Sequence, residues 1–278
     1  MSPYRTQLAV AQLAGGTDKP ENLATVERLL ADMRALPSFH EDDPPQLVAF
    51  PEATMRVYGP PDVPLAPDAE PLDGPFVQGL AKLARYHEVQ ILAGMFERAE
   101  GGDRAYNTLV ALNRNGELVA TYRKVHLYDA FSFRESDQLV AGDEEPPVLD
   151  DLLPGLRVGL LTCYDLRFPE IARSLVERGA EVLLVPAAWV RGPLKEMHWQ
   201  TLLRARAIEN TVYVVAPAQC GGSYAGNSMV IDPQGITVAA LGEQEGVVTA
   251  EPDRRRLDEV REVNPSLGNR RYPTARLG

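Results

Sequence analysis

The stretch Arg157-Val-Gly-Leu-Leu-Thr-Cys-Tyr-Asp-Leu-Arg-Phe-Pro-Glu170 contains an apolar run that ends on a single cysteine among ionisable residues. Val158 to Leu161 predict a strand buried on both faces, and Pro169 to Arg178 predict a helix with proline in its first turn. Cys163 is therefore expected in a strand-to-helix turn. In an α/β protein such turns line the end of the sheet where ligands bind, so the stretch indicates both a fold class and a site.

Two interpretations of Cys163 are open from this stretch alone. A free cysteine is more often a buried structural residue than a reactive one. Asp165 and Arg167, which follow closely, favour a reactive cysteine, because a structural one has no need of charged neighbours.

Length and composition restrict the class of protein. The chain has 278 residues, of which 45% are hydrophobic, and this suits a single large α/β domain over residues 1–278. The net charge of -11 argues against a nucleic-acid or membrane partner, because phosphate binding needs clustered Lys and Arg. The basic runs Arg254 to Arg256 and Arg270-Arg271 are expected to be solvated or interface residues.

The cysteine content and the N-terminal residues predict the compartment. Cys163 and Cys220 are the two cysteines, and they lack metal-ligand spacing, so neither a disulfide framework nor a zinc site is expected. The start of the chain lacks the apolar core of a signal peptide, and no apolar stretch approaches the ~20 residues of a membrane span. We therefore expect a cytoplasmic protein.

The order of predicted elements repeats once along the chain. Strand, helix, strand, helix, strand and hairpin occur in the first half and again in the second, which predicts two sheets stacked face to face with helices outside. The predicted elements are 7–12, 18–33, 46–52, 75–86, 89–96, 107–113, 117–122, 158–161, 169–178, 182–186, 198–210, 212–216, 228–232, 236–241 and 247–251.

The segments between these elements are predicted to be irregular. Residues 37–45 read as a polar linker, and the proline-rich segment 58–74 as a surface loop that forms a wall of the site. Residues 128–147 are acidic and aromatic and are also predicted to be a loop. From residue 253 onward we expect an extended tail that docks on a neighbouring subunit, with disorder as the alternative.

Three predicted strands end on reactive side chains of different kinds, namely Glu52, Lys124 and Cys163. A free thiol is mostly protonated at neutral pH, so a nucleophilic cysteine needs a base or a nearby cation. Glu52 can be the base and Lys124 the cation. Lys124 can also face the oxyanion formed when sulfur attacks a carbonyl, with the backbone N–H of Tyr164 as second donor. Taken singly, Glu52 fits a helix cap equally well, and Lys124 a solvated strand end.

The motifs Phe50-Pro-Glu52, Arg123-Lys-Val-His-Leu127 and Cys163-Tyr-Asp-Leu-Arg-Phe-Pro-Glu170 occur in this order along the chain. Their combination resembles the nitrilase or carbon-nitrogen hydrolase superfamily over nearly the whole length. The resemblance also includes Tyr106-Asn107, His198-Trp199, Arg204 to Asn210, Asn227-Ser228 and Asp232 to Gly235. It implies a four-layer α-β-β-α sandwich with two stacked mixed sheets and outer helices, and it implies no metal or other cofactor.

The resemblance also implies roles for individual residues. Glu52 would be the general base, Lys124 the stabiliser of the intermediate and Cys163 the nucleophile, with Glu135 as the second active-site glutamate. The sulfur would attack an amide carbon, ammonia would leave, and water would then cleave the thioester to release a carboxylic acid. Members of the family usually dimerise by stacking their sandwiches, so a homodimer with residues 253–278 at its interface is expected.

Within the superfamily, residues 163–170 and 199–209 are most similar to the branch that holds omega-amidase and deaminated glutathione amidase. This similarity implies a small amide substrate that carries a carboxylate. Arg167 lies where related carbamoylases clamp a substrate carboxylate, and a salt bridge to Asp165 or Glu170 is the alternative. Trp189 and Tyr58 are the other predicted substrate-binding residues.

Several alternatives stay open at this level. An N-carbamoyl amino acid hydrolase is one, and a nitrilase is another, although that branch places Trp-Glu where this chain has Tyr164-Asp165. Outside catalysis, the chain could be a ligand-binding scaffold or a thiol redox sensor using Cys163. His126 is interpreted as a structural or site-lining residue, and Cys220 as a core or pocket residue.

Overall fold

The structure is a computed structural model that describes residues 6–39, 45–60 and 63–272. Its α-helices are α1 (Lys19–Arg34), α2 (Pro75–His87), α3 (Pro169–Glu177), α4 (Lys195–Asn210) and α5 (Arg254–Val263). Its strands are β1 (Leu8–Gln12), β2 (Leu47–Ala49), β3 (Gln90–Arg98), β4 (Ala105–Leu112), β5 (Leu118–Arg123), β6 (Asp129–Ala130), β7 (Phe133–Arg134), β8 (Leu139–Val140), β9 (Val148–Leu153), β10 (Leu156–Leu160), β11 (Val182–Leu184), β12 (Tyr213–Ala216), β13 (Met229–Ile231), β14 (Thr237–Ala240) and β15 (Gly246–Ala250). Short 3-10 helices cover Ala66–Asp68, Glu135–Asp137 and Cys163–Arg167.

The two large sheets follow one pattern. The first has the order β15-β1-β2-β3-β4-β5, with β8 added to β4, and the second has the order β14-β13-β12-β11-β10-β9. In each sheet three central strands are parallel, β1 to β3 in the first and β10 to β12 in the second. Parallel neighbours need a crossover connection, which α1 and α2 provide for one sheet and α3 and α4 for the other. The predicted repeat of elements is confirmed.

The central strands bury both of their faces, and their alternation defines the layers. Leu8 and Val10 of β1 lie in the same apolar cluster as Val158 of β10, so these side chains fill the space between the two sheets. Ala9 and Ala11 face the other way, into the cluster that packs the first sheet against α1 and α2. A third cluster packs the second sheet against α3 and α4. The four-layer α-β-β-α sandwich is therefore confirmed.

The prediction of an extended C-terminal segment is wrong for residues 254–263, which form α5. Leu257 and Val260 lie three positions apart and are both buried, so one helical face packs on the sandwich. The side chain of Asp253 caps the helix by accepting the backbone N–H of Arg255. The charged residues that surround this short apolar face conceal it in the sequence. Residues 273–278 lie outside the described residues.

The predicted loops contain more regular structure than expected. Within 128–147, β6 and β7 pair as a small hairpin, and β8 pairs with β4. β9 extends the edge of the second sheet, and its mixture of apolar and acidic residues gave no prediction. In the segment 58–74, of which residues 61 and 62 lie outside the described part, Ala66–Asp68 forms a 3-10 helix. Most of the linker 37–45, namely residues 40–44, also lies outside it.

Candidate active site

The two sheets deliver three reactive side chains to one cavity, and the segment between β7 and β8 adds a fourth, Glu135. Glu52 follows β2, Lys124 follows β5, and Cys163 opens the 3-10 helix after β10. Together with Glu135 they line a cavity of about 320 Å³. Glu52 and Lys124 are each 1% exposed, Glu135 is 2% exposed and Cys163 is 9% exposed. These four residues, which the sequence had singled out, are named the pocket floor below.

The floor is a connected network of charges. The Lys124 ammonium nitrogen lies 3.0 Å from Oε1 of Glu52, and 3.0 Å and 2.9 Å from the two carboxylate oxygens of Glu135. Asn107 donates from Nδ2 to Oε1 of Glu52 at 2.6 Å. The other oxygen of Glu52 accepts the backbone N–H of Ala188 at 2.6 Å. Because each buried charge has partners, the network fixes the position of every group in it.

Burial and charge together set the protonation states of the floor. Burial by itself would raise the pKa of Glu52, but Lys124, the Ala188 N–H and the Cys163 thiol hold that pKa below its ordinary value. Burial would lower the pKa of Lys124, yet Glu135 and Glu52 raise it well above the ordinary value. Burial and the neighbouring Glu52 charge raise the pKa of the Cys163 thiol well above its usual range. The resting floor thus holds a thiol beside a carboxylate that can accept its proton.

The turn that carries the cysteine, residues 162–168, has an unusual backbone. Cys163 has φ 46°, in the left-handed region that non-glycine residues rarely adopt. Its N–H donates to the carbonyl of Pro186 at 2.9 Å. The fully buried Asp165 carboxylate accepts the Thr162 N–H at 2.9 Å, and the Asp165 N–H donates to the Thr162 carbonyl at 2.9 Å. These contacts hold a strained conformation, as is common at reactive sites.

Asp165 also ties this turn to the strand that leads to Lys124. Its Oδ2 accepts the hydroxyl of Tyr122 at 2.7 Å. Its Oδ1 accepts the backbone N–H of His126 at 3.1 Å and lies 2.8 Å from Nδ1 of that ring. The His126 ring stacks on Phe168 with 3.8 Å between centroids. His126 therefore supports the turn, which agrees with its interpretation as a structural residue.

Two further cations lie at the opening of the cavity. The Arg167 guanidinium carbon is 4.8 Å from the ring centroid of Trp189 and 5.8 Å from that of Phe131. The Lys195 ammonium is 4.4 Å from the Phe131 centroid and donates to the hydroxyl of Tyr128. All of these residues line the cavity. Phe131, Arg167 and Lys195 are named the pocket mouth below.

Neither mouth cation has a carboxylate partner in the part of the chain that the structure describes. The salt bridge from Arg167 to Asp165 or Glu170, considered as an alternative from the sequence, is absent. Asp165 is instead occupied by Tyr122, Thr162 and His126. The buried Nε of Arg167 has no hydrogen-bond partner. Arg167 is thus available to a ligand in the cavity.

The other predicted site residues also line the cavity. The Tyr58 hydroxyl lies within hydrogen-bonding distance of Glu135 and, at 3.1 Å, of Glu52, so its single proton can be donated to either carboxylate of the floor. Trp189 forms part of the wall, and its indole N–H donates to the backbone carbonyl of Lys195 at 2.8 Å. The Tyr164 side chain is in the wall as well. The roles assigned to these residues from the sequence stay predictions.

Cys220 is a core residue in this structure. It is 2% exposed and does not line the cavity of Cys163. Burial raises its pKa to about 11, which disfavours the reactive thiolate.

Sequence reasoning missed several residues of the site, among them Phe131, Gln219 and Lys195. Gln219 is fully buried, and its Nε2 donates to the backbone carbonyls of Glu52 and Ala53, both at 3.1 Å. It follows an apolar run after β12, so the strand-end rule that identified the floor could have found it. Lys195 begins α4 in a polar segment, and no local pattern marks it.

Two features are absent from residues 6–39, 45–60 and 63–272. No helix there combines the length and apolar character needed to cross a bilayer. No group of three or more His, Cys, Asp or Glu side chains there is arranged to hold a metal ion.

Comparison with known proteins places the chain among relatives of one kind. The family described as carbon-nitrogen hydrolase matches residues 7–262. A deaminated glutathione amidase of Escherichia coli O157:H7 is 46% identical over 209 residues, which cover 75% of this chain and 78% of the relative. A deaminated glutathione amidase of Bos taurus is 37% identical, and the match covers 95% of this chain and 81% of the relative.

Solved structures share the fold over nearly the whole chain. The C. elegans NitFhit protein superposes with a TM-score of 0.86 at 31% identity, over 99% of this chain and 68% of that chain. An amidase from Nesterenkonia sp. superposes with a TM-score of 0.78 at 25% identity, over 96% of this chain and 98% of that chain.

The fold, the cavity and the similarities agree with one another. The family match spans both sheets, all four residues of the floor and the mouth. The chain therefore belongs to the carbon-nitrogen hydrolase family.

Proposed function

We propose that the protein is an amidase that hydrolyses a small carboxylate-bearing amide through a thioester on Cys163. The observation that carries this proposal is the floor itself, where a thiol, a carboxylate and an ammonium share one cavity. The names of the relatives, several of them amidases, support it. Arg167, a cation without a carboxylate partner among the described residues, supports a substrate with a carboxylate.

The proposed reaction begins with proton transfer from the Cys163 thiol to Glu52 as sulfur attacks the amide carbon. The C–N bond breaks when the tetrahedral intermediate collapses, and the amine departs with the proton that Glu52 carried. The amine is ammonia in the simplest case. Water then loses a proton to Glu52 and attacks the thioester, which releases the carboxylic acid and restores the thiol. The oxyanion of each step faces Lys124 and the backbone N–H of Tyr164.

Glu135 has a different role from Glu52 in this proposal. Both of its carboxylate oxygens contact the Lys124 ammonium, and one also accepts the backbone N–H of Tyr128 at 2.5 Å. Glu135 therefore holds Lys124 in position and keeps it charged, since its carboxylate raises the pKa of Lys124. Tyr58 and Trp189 are proposed to line the substrate on either side of the floor.

The remaining expectations belong to the same proposal. We infer a single domain over residues 1–278, a homodimer with residues 253–278 at its interface, and a cytoplasmic location. Sedimentation of the purified chain tests the homodimer, and a monomer at micromolar concentration would contradict it.

Among the alternatives, hydrolysis of N-carbamoyl amino acids is supported by Arg167, because such substrates also carry a carboxylate. The redox-sensor alternative is disfavoured. A sensor cysteine needs thiolate character, whereas burial raises the pKa of Cys163 well above its usual range. The second cysteine, Cys220, lies outside the cavity and is not available as a resolving thiol.

The test is a screen of 2-oxoglutaramate, succinamate, deaminated glutathione and N-carbamoyl amino acids for amine release. We expect turnover of at least one, and a loss of roughly 10,000-fold or more in Cys163→Ala without a change in melting temperature. Cys220→Ala is the matched control, and it should keep its activity. Mass spectrometry of the wild-type protein during turnover should show the acyl group on Cys163. Retained turnover in Cys163→Ala would refute the mechanism.

A further inference from the structure

Gly94, in β3, lies against the backbone of Glu52. A Cβ atom at Gly94 would be 2.7 Å from the Cα atom of Glu52 and 2.5 Å from the backbone nitrogen of Ala53. Carbon atoms in contact are normally about 3.5–4.0 Å apart, so any other residue here would displace the Glu52 backbone. Two hydrogen bonds of 3.0 Å hold the contact, from the Gly94 N–H to the Pro51 carbonyl and from the Met55 N–H to the Gly94 carbonyl. The turn that carries Glu52 therefore rests directly on β3.

Gly142, two residues after β8, holds the backbone at Lys124 in a similar way. A Cβ atom there would be 2.9 Å from the carbonyl carbon of Arg123 and closer still to the carbonyl oxygen. The Gly142 N–H donates to the Lys124 carbonyl at 2.8 Å, and the Lys124 N–H donates to the Asn107 carbonyl at 2.8 Å. Both backbone groups of Lys124 are thus held, and a side chain at position 142 would displace them.

Space, and not backbone conformation, requires glycine at these two positions. Neither φ lies in the left-handed region, so other residues could adopt the backbone conformation. Among the described glycines outside that region, these two would bring an added Cβ closest to backbone atoms. Gly79 of α2 differs, because a Cβ there would meet the side chain of Leu23, which can rotate away. The two glycines with unyielding neighbours are the two that adjoin the charges of the floor.

We propose that Gly94 and Gly142 are positioning residues that set the separation of the Glu52 carboxylate and the Lys124 ammonium. This inference rests on the proposed function, because it assigns the glycines to the reaction of the floor. The two charged groups are 3.0 Å apart, and each comes from a backbone segment that a glycine allows to approach. A displacement of about 1 Å in either segment should lower the rate on the order of 100-fold, because the reacting groups are then misaligned.

Gly94→Ala and Gly142→Ala test the proposal, and Gly79→Ala is the matched control. We expect kcat for a cleaved amide to fall about 100-fold in each of the first two variants, while KM changes less than about threefold. Gly79→Ala should keep the wild-type kcat, since only a side chain has to move. A wild-type kcat in either folded test variant would overturn the assignment of that glycine.

A second variant separates loss of position from loss of folding. Ala53 has φ 57°, so Ala53→Gly relieves strain in the turn and lets it move away from a Cβ at position 94. The double variant Gly94→Ala with Ala53→Gly should regain melting temperature but stay about 100-fold low in kcat. If kcat returns together with the melting temperature, or if neither form folds, Gly94 serves folding alone and its assignment fails. A Gly142→Ala protein that does not fold likewise overturns the assignment of Gly142.

Alkylation by iodoacetamide separates this inference from the proposed function, because it requires no amide hydrolysis. Sulfur displaces iodide while Glu52 takes the thiol proton, so Gly94→Ala should slow alkylation of Cys163 about tenfold, measured by mass spectrometry. Cys220, buried outside the cavity, is the internal control and should react no faster than in the wild type.

The outcomes of the two assays are distinct. If the wild type cleaves none of the screened amides but Gly94→Ala slows alkylation of Cys163, the proposed function fails and the Gly94 assignment stands. Unslowed alkylation of Cys163 overturns the Gly94 assignment whether or not amides are cleaved. Faster alkylation of Cys220 in the variant overturns it as well, because the substitution then opens the fold in general.

Discussion

The floor and the mouth of the cavity are both rich in charged side chains, but they differ in whether those charges have partners within the protein. In the floor, each carboxylate and the ammonium are almost fully buried and hydrogen-bonded to protein groups. In the mouth, Arg167 and Lys195 lie against aromatic rings and have no carboxylate partner within the described chain. The charges of the floor are therefore paired within the protein, whereas the two cations of the mouth have no carboxylate partner among the described residues.

This difference indicates where stability and where affinity originate. Removing one partner from a buried, fully paired network leaves an uncompensated charge and costs stability. Removing a cation that has no partner in the protein should change the free energy of unfolding little. It should weaken the binding of an anionic ligand much more. Substitutions in the floor should therefore lower both stability and kcat. Substitutions in the mouth should mainly raise KM.

Lys124→Met gives the largest expected effect on the fold and the chemistry together. The change leaves the Glu52 and Glu135 carboxylates buried without their shared ammonium. We expect the free energy of unfolding to fall by about 3–5 kcal/mol, measured by denaturant titration. We also expect kcat to fall on the order of 1,000-fold, because a donor to the oxyanion is lost.

The double variant Lys124→Met with Glu135→Gln serves as its control. It removes one of the two unpaired carboxylates, so it should recover part of the lost stability without recovering activity. A Lys124→Met protein as stable as the wild type would show that the floor is not a coupled network.

Arg167→Met tests the mouth. The guanidinium stacks near aromatic rings but makes no ion pair, so the free energy of unfolding should change by less than about 1 kcal/mol. We expect KM for a carboxylate-bearing amide to rise about 10- to 100-fold, with a smaller change in kcat. Arg167→Lys keeps the charge but loses the planar guanidinium. Its KM should lie between that of the wild type and that of Arg167→Met. A stability loss as large as that of Lys124→Met would remove the distinction between floor and mouth.

Gln219→Leu tests whether Gln219, from the second half of the chain, keeps Glu52 of the floor in position. Gln219 donates to the backbone carbonyls of Glu52 and Ala53, and Ala53 has φ 57°. Without these donors Glu52 should be positioned less well, and kcat should fall about tenfold while KM changes little. Gln78→Leu, an exposed position on α2, is the matched control and should leave both constants unchanged. A rise in KM with constant kcat would instead assign Gln219 to binding.

The smallest expected effect is that of pH on the floor. Glu52 must be ionised to accept a proton, and its lowered pKa keeps it ionised below the usual range of a glutamate. Cys163 starts as a thiol, and its raised pKa keeps it so above the usual range of a cysteine. The kcat/KM for a substrate that does not titrate should therefore vary less than about twofold between roughly pH 5 and 9. A rise of kcat/KM with pH that has its midpoint near pH 7 would instead indicate a preformed thiolate.

The same pKa shifts fix the sign of the pH dependence of stability. The lowered pKa of Glu52 contributes stability that is present above its unfolded pKa and is lost as pH falls through the folded value. The raised pKa of Lys124 contributes stability that is present below its unfolded pKa and is lost as pH rises through the folded value. Stability should accordingly be flat across neutral pH.

How well an element could be predicted from the sequence depended on how far apart along the chain its contacting residues lie. The central strands were predicted because burial on both faces makes them continuous apolar runs. α5 was predicted as an extended tail because only Leu257 and Val260 form its buried face among many charged residues. β9 was not predicted at all, since its exposed acidic residues interrupt the strand pattern. Edge and terminal elements depend on the surface they meet, and that surface is built by distant residues.

By itself, the sequence indicated the chemical groups of the floor, because Glu52, Lys124 and Cys163 each follow a predicted strand, whereas Glu135 was identified only through the resemblance to the superfamily. Only the tertiary structure decided that a carboxylate, an ammonium and a thiol from two different sheets line one cavity, with the ammonium 3.0 Å from the carboxylate. It also decided that Lys195 belongs to the cavity. The physical reason is that distances between groups far apart along the chain depend on how the two sheets stack, which no stretch of sequence specifies alone.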